Sequence, residues 1–328
     1  MDRRFVPLNA LIAFCSPTRT SWPRPFFDAG YRLQALEFPV PAGDSRVVAD
    51  VVAWSPTDAH FALGEAKSGA NVEEDQARRY ASVQTNTLVQ MTGVTLTQPA
   101  PAGAQVVYAV LAEQVDRVLL GLSRAGVSFP VLVVGDDSVW HTGAALDHVA
   151  LAQQFADPMP ISGPPPGIIT IDTESSDDDF DRAVQASLGA ILASHLPAIS
   201  VPALAEDALP YLAVYPNGYR SQLVRKVEAA ARRAAEAAPE TFTFLPRTGT
   251  SDSASVRVLD SPEGLDPRGR TQRYQALAAR FTSPNRRHPA PAGGDQLSLF
   301  GQDDLERQLA ELDLVEDNGA EEVEDGPQ

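Results

Sequence analysis

Apolar and polar side chains alternate along residues 31–40, YRLQALEFPV, with the period of a half-buried β-strand. PAGDS then supplies turn chemistry, and RVVADVVAW is rich in β-branched residues, so residues 31–54 predict a β-hairpin. A second turn, SPTD, leads into HFALGEAK as a third strand. The pattern changes near Asn71, a good N-cap, where Glu73, Glu74 and Asp75 fall in a first helical turn that favours anions. AQVVYAVLAE reads as a buried strand, EQVDRVLLGLSRAG as an amphipathic helix ending in Gly126, and VSFPVLVVGDD as another strand. The order is roughly α-β-β-β-α-β-α-β. It predicts an α/β fold in which helices pack against a mixed sheet.

PISGPPPG (160–167) followed by DTESSDDDFD marks a boundary. The acids Asp177, Asp178, Asp179 and Asp181 are expected to start a helix or stay solvated, not to bind metal. Helical patterns follow at DRAVQASLGAILASHL, PALAEDALPYLA and YRSQLVRKVEAAARRAAEAA, and then TFTFLP and SASVRVL read as two strands around a turn. Helices followed by a hairpin resemble a winged helix. The predicted organisation is a first domain over 1–158, a Pro-rich and acidic linker over 159–181, a smaller helical domain over 182–282, and a flexible tail over 283–328.

Composition narrows the chemistry. The 328 residues suit two modest domains and a tail, and a single cysteine, Cys15, excludes a disulfide framework or a four-cysteine metal site. The five histidines lack paired ligand spacing and read as surface or core fillers. No stretch approaches the roughly 20 apolar residues of a membrane span, and the apolar LIAFC lacks the features of a signal peptide, so a cytoplasmic protein without membrane contact is expected. The net charge of -17 is unevenly spread: residues 301–328 hold eleven acids and one arginine, whereas residues 217–290 carry thirteen basic residues against seven acidic ones. A basic segment followed by an acidic tail is a different object from a uniformly acidic chain.

The sharpest chemistry lies at LGEAKSGANVEEDQARRY, residues 63–80. On a strand, Glu65 and Lys67 share a face. If the two strands flanking SPTD pair, Asp50 reaches the same point as Glu65. Two convergent carboxylates suit a hard divalent ion such as magnesium, and a lysine beside them can hold or deprotonate the attacking water, or steady charge on the phosphorus. Lysine is rare here, at two against 24 arginines, and Lys67 is one of the two. Its slot is one that arginine, which holds its proton, would fill poorly.

Asp50, Glu65 and Lys67 together resemble the PD-(D/E)xK nuclease superfamily, of restriction-endonuclease-like fold. Gln76 and Tyr80, one helical turn apart, resemble the QxxxY motif of its RecB-like branch. The resemblance covers about residues 1–145. It implies Asp50 and Glu65 as ligands of Mg2+ or Mn2+, Lys67 as an assistant to the nucleophile, and Gln76 and Tyr80 as positioning residues for DNA and the catalytic elements. Ala49 stands where the family usually has proline, and the acidic residue or histidine that many members carry on the first helix is missing. Glu37 offers a substitute, read first as a solvated strand charge.

DNA is the expected partner, with Arg78, Arg79, Arg225, Lys226, Arg232 and Arg233 as candidate phosphate contacts. Gln296-Leu297-Ser298-Leu299-Phe300 resembles the bacterial sliding-clamp-binding peptide and follows a Pro/Gly-rich linker. The final acids are expected to be disordered. The whole predicts a metal-dependent DNA nuclease tethered to the replication clamp, in bacterial repair, replication or defence against foreign DNA. The alternatives are a nuclease subunit of a restriction or transposition complex, or an inactive DNA-binding protein of the same fold.

Overall fold

The first hydrophobic stretch, LIAFC, folds as helix α1 (Val6–Phe14), which buries almost all its side chains because it lies flat against a sheet. The structure is a computed structural model, described over residues 2–94, 96, 103–194, 196–247, 249 and 253–259. After a short helix α2 (Pro25–Asp28), the predicted hairpin forms from β1 (Arg32–Ala42) and β2 (Ser45–Ser55), and β3 (His60–Lys67) follows antiparallel to β2. Helices α3 (Glu74–Tyr80) and α4 (Thr85–Thr92) lead to β4 (Gly103–Leu111), which lies parallel to β3. Next come α5 (Val115–Arg124), β5 (Pro130–Val134), β6 (Ser138–Gly143), α6 (Val149–Gln154) and β7 (Met159–Pro160). The seven strands stand in chain order, β1 to β7, as one mixed sheet. The sheet flanked by helices is the architecture the hydrophobic pattern predicts.

One face of the sheet holds α1. Its Leu11 packs against Gly64 so closely that a Cβ there would come within 2.8 Å of a Leu11 methyl. The other face carries a cluster that joins Tyr80, Leu88, Val118 and Leu122 of α3, α4 and α5 to Val47, Leu63, Tyr108 and Val131 of the sheet. Helix α3 starts later than expected. Asn71 does not cap it; Glu73 occupies the N-cap position without a side-chain hydrogen bond, and Glu74 and Asp75 supply the acidic first turn.

The described residues beyond β7 form three α-helices and a second sheet. They are α7 (Asp177–Ala193), β8 (Ala198–Ser200), α8 (Val201–Ala208), α9 (Asn217–Ala237), β9 (Phe242–Leu245) and β10 (Ser255–Val258), with strand order β8-β10-β9. The acids before α7 start that helix. Ser176 and Asp179 form a reciprocal capping box, each side chain accepting from the other's backbone N–H.

The described residues fall in one compact unit, Met1–Leu277, and the Pro-rich stretch packs on the first helix. Asn9, fully buried, donates to the Ile169 carbonyl at 2.7 Å, and its Oδ1 accepts from the Ile168 and Ile169 backbones at 3.0 and 2.7 Å. Trp22 donates to the Gly163 carbonyl, and Arg4 reaches Asp172 and Ser175.

Candidate functional site

The last rung of the β2–β3 ladder pairs Val51 with Gly64, so Asp50 and Glu65 are the next residues along and stand opposite each other. There the backbone ladder stops, and the Asp50 carboxylate takes over: its Oδ2 accepts the Ala66 N–H at 2.6 Å. On the other flank, Glu37 lies between the pairs Leu36–Val51 and Phe38–Ala49, so it faces Asp50. Across β4, Tyr108 pairs with Glu65. Four strands thus contribute one row across the sheet: Glu37, Asp50, Glu65 and Tyr108.

Glu65 is buried, at 3% exposure, and both its oxygens are engaged. Lys67 Nζ sits 2.7 Å from Oε1. The Tyr80 hydroxyl lies 2.6 Å from Oε2 and 2.8 Å from the Val48 carbonyl oxygen, and its single hydrogen serves both. Lys67 also donates to Gln76 Oε1 at 3.0 Å. The one-turn spacing of Gln76 and Tyr80 therefore has a concrete result. From one face of α3, Gln76 holds the lysine and Tyr80 holds the glutamate. The tyrosine–glutamate bond is buried and the lysine–glutamine bond partly so, and a lost partner at the buried one is costly.

The electrostatics are those of crowded acid. Burial, then the charges of Glu65 and Glu37, hold the Asp50 carboxyl well above the usual carboxylate range, against the opposing pull of the Ala66 N–H and Lys67. Burial and the charges of Glu65, Asp172 and Glu174 push Glu37 up to about 8. For Lys67, burial disfavours the ammonium, but the charge and hydrogen bond of Glu65, with help from Asp50 and Glu73, outweigh it and raise its pKa. Lys67 is therefore held as a cation. Tyr80 and Tyr108 are pushed up chiefly by burial and next by Glu65 and Asp50, so both stay phenols. Tyr108 OH is buried and has no hydrogen-bond partner among the described residues.

The donor set suits a hard divalent cation in kind: oxygen ligands, with three acidic side chains against one ammonium. It is sparse in number, because among the described residues no three His, Cys, Asp or Glu side chains come together as a metal-holding group. Magnesium is commonly held by one or two carboxylates, with water and substrate phosphate completing its shell. Asp50 and Glu65 fit that mode, so these two would hold such an ion.

Glu37 corrects its sequence reading. It is half-buried beside the carboxylates, not a solvated strand charge, and its φ of 49° lies in the left-handed region, which a non-glycine residue in a strand rarely adopts. Tyr108 had no sequence signal as a site residue, since it arrives through cross-strand register, and Glu37 was singled out only as a substitute acid, without the burial that its register gives it. Of the histidines, His60 and His148 come together beside Tyr31 and Asp58. His60 Nδ1 lies 2.7 Å from Tyr31 OH and His148 Nε2 lies 3.1 Å from Asp58. Burial, then His148, lowers the His60 pKa to about 4. This cluster sits at the other end of β3 and ties the core.

The expected phosphate contacts divide. Arg78 is exposed and paired with Glu74 and Asp75 on its own helix at 2.7 and 2.6 Å, whereas Arg79 is half-buried. Lys226 turns inward to the Thr173 and Ser175 carbonyls, and Arg233 is tied to Asp181 at 2.8 Å. Arg225 and Arg232 remain exposed. Gln296, Leu297, Ser298, Leu299 and Phe300 lie outside the described residues, as does the acidic tail.

No helix among the described residues is long and apolar enough to cross a membrane. No curated protein and no solved structure matches the chain. A family model described as the MJECL32 domain matches residues 6–110, about a third of the chain, a span that runs from α1 into β4 and takes in Glu37, Asp50, Glu65, Lys67, Gln76, Tyr80 and Tyr108.

Proposed function

We propose that the protein is a divalent-cation-dependent DNA nuclease of the PD-(D/E)xK kind, with Asp50 and Glu65 as the metal-holding pair. The observation that carries this reading is the single contact network in which Lys67 bridges Glu65 and Gln76 while Tyr80 bonds the second oxygen of Glu65. A bound Mg2+ or Mn2+ would supply Lewis-acid polarisation of a phosphate oxygen and a more acidic water. Lys67, held as a cation by its carboxylate neighbours, is suited to steady negative charge on the reacting phosphate, not to abstract a proton. Gln76 fixes the direction of that ammonium, and Tyr80 fixes the Glu65 carboxylate against rotation. The architecture of the first seven strands agrees with a restriction-endonuclease-like core, and the order α7-β8-α8-α9-β9-β10 supports a winged-helix reading of the second part.

The test is cleavage of single-stranded, double-stranded and branched DNA with Mg2+ or Mn2+. Activity is expected to vanish on chelation, and Lys67→Ala is expected to cost about 10²-fold or more in kcat, the scale of a lost catalytic side chain. Equal rates for variant and parent would overturn the assignment. The clamp tether is a separate proposal, carried by Gln296 to Phe300. Leu299→Ala/Phe300→Ala is expected to abolish co-purification with a bacterial sliding clamp, and retention of the clamp by that variant would remove the proposal.

A further inference from the structure

The exposed side of α9 lines a groove of about 940 Å³. Its arginines come from two elements: Arg220, Arg225, Arg232 and Arg233 from the helix, and Arg247 from just beyond β9. Among the described residues, two glutamates, Glu228 and Glu236, are the acids lining it. Arg233 is already neutralised by Asp181, and Arg232 meets Glu228 only at 3.8 Å. Among the described residues, Arg220, Arg225 and Arg247 show no carboxylate partner; Arg220 instead donates to the Ala213 and Tyr215 carbonyls and Arg225 to the Ser221 carbonyl. Among the described residues, the groove therefore holds uncompensated positive charge, in a molecule whose net charge is -17.

The spacing says what kind of anion fits. Arg225 and Arg232 are seven residues apart, so they project within about 20° of each other and roughly 10 Å apart along the helix. Arg220 to Arg232 spans about 18 Å. No single phosphate meets charges spread so far, but a linear polyanion with a charge every ~3.4 Å along a strand meets them in turn. Phe244 of β9 lies under the Arg232 guanidinium at 4.8 Å, which holds that fork toward the groove. Ser221 and Ala229 on the same face leave room for a backbone to approach. Guanidinium forks match phosphate oxygens bidentately, and the evenly spaced charges of a phosphodiester backbone present such oxygens along the whole row.

The groove also has a direction. Arg220 is bonded to the turn at Leu212–Val214, and that turn touches β1, the strand that carries Glu37. Tyr215, at the end of that turn, and Tyr219 of α9 stack at 4.8 Å, and both phenols are pushed up by burial first and by Glu37 next. One end of the groove thus lies on the element next to the carboxylate row, and the other runs away from it along α9.

We propose that this groove holds the phosphate backbone of a nucleic acid, with Arg225, Arg232 and Arg247 as the contacting residues and Arg220 at the end nearest the carboxylates. It rests on the reading of the carboxylate site as one that acts on DNA. It replaces the residue set read from the sequence, because Lys226 and Arg233 spend their charge inside the protein.

The experiment is fluorescence anisotropy of the full chain with labelled single-stranded and duplex DNA in EDTA, where cleavage is blocked, across a salt series. Arg225→Ala/Arg232→Ala is expected to weaken binding about 10- to 100-fold at low salt. It should also flatten the slope of log Kd against log salt by roughly 1.4 to 1.8, the value for two lost phosphate contacts. Arg247→Ala should flatten it by about half as much, and Arg182→Ala, exposed on α7 and paired with Asp179, should leave it unchanged. Alanine favours the helix, so circular dichroism should match the parent. Parent-like affinity and slope in the double variant would overturn the proposal, as would displacement of DNA by polyglutamate as effective as by unlabelled DNA. The two readings fail separately. Cleavage by the double variant with an unchanged KM sinks the groove alone, whereas arginine-dependent binding without cleavage under any divalent cation sinks the nuclease alone.

Discussion

Tyr80 shows how much a single hydroxyl can organise. It is fully buried, its ring packs edge-on to Tyr108 at 6.5 Å, and its oxygen touches both a strand carbonyl and Glu65. Tyr80→Phe keeps the ring and deletes the hydrogen bond, leaving Glu65 Oε2 and the Val48 carbonyl without that donor. The expected cost is about 1–3 kcal/mol in a urea denaturation, the range for an unsatisfied buried acceptor; a midpoint equal to the parent's would mean that water replaces the phenol. At this scale the sequence was informative where chemistry is local. The Glu65–Lys67 face follows from the two-residue period of a strand, and the Asp50–Glu65 meeting follows from one short turn. Tyr108 was not legible as a site residue, and Glu37 was legible only as a substitute acid, not as a half-buried one. Nothing near Glu37 announces its positive φ, and Tyr108 reaches Glu65 only through the parallel pairing of β3 with β4, elements separated by two helices.

Elements translate these side chains into a fixed geometry, and β3 is the one that everything else grips. Its Glu65 reaches α3, while its Gly64, one residue earlier, faces α1. A Cβ at position 64 would stand 2.8 Å from Leu11 Cδ1 and 3.2 Å from Val51 Cβ. The leucine methyl can move, but the Cβ of Val51 is fixed to the neighbouring strand. Gly64→Ala is therefore expected to cost about 1–3 kcal/mol through overpacking, read as a lower thermal midpoint, and Leu11→Ala in the same chain should recover part of it by clearing space. A double variant no better than the sum of the two losses would place the strain elsewhere. Strand and helix order was readable from periodicity because each of these elements has one wet and one dry side, or is buried throughout. The start of α3 was not. Asn71 has the right chemistry for a cap, yet the chain runs on to Glu74 before turning helical, and that delay sets which helical face Gln76 and Tyr80 present to β3.

For the whole molecule, the stretch between the large sheet and α7 is the telling part. Composition marks it as a linker, because proline and acid are poor material for a core. Its backbone is nonetheless read by one buried side chain: Asn9 pairs with the N–H groups of Ile168 and Ile169 and with the Ile169 carbonyl, and Ile169 itself is 3% exposed. An asparagine inside the helix LNALIAF gives no hint of which distant backbone it will meet, since an amide can satisfy any edge of chain. A fragment ending at residue 158 would take from that amide its three bonds to Ile168 and Ile169, uncover the apolar surface that Ile169 fills, and lose β7, which pairs with β6. Three hydrogen bonds at about 1 kcal/mol each and one buried isoleucine at about 2–3 kcal/mol give an expected deficit of roughly 5 kcal/mol. That is a large share of the stability of an ordinary domain. Residues 1–176 should therefore unfold at a clearly higher urea concentration than residues 1–158, and Asn9→Ala should narrow the gap by weakening only the longer fragment. Equal midpoints for the two fragments would show that the contacts to α1 contribute nothing and that the stretch is a tether after all.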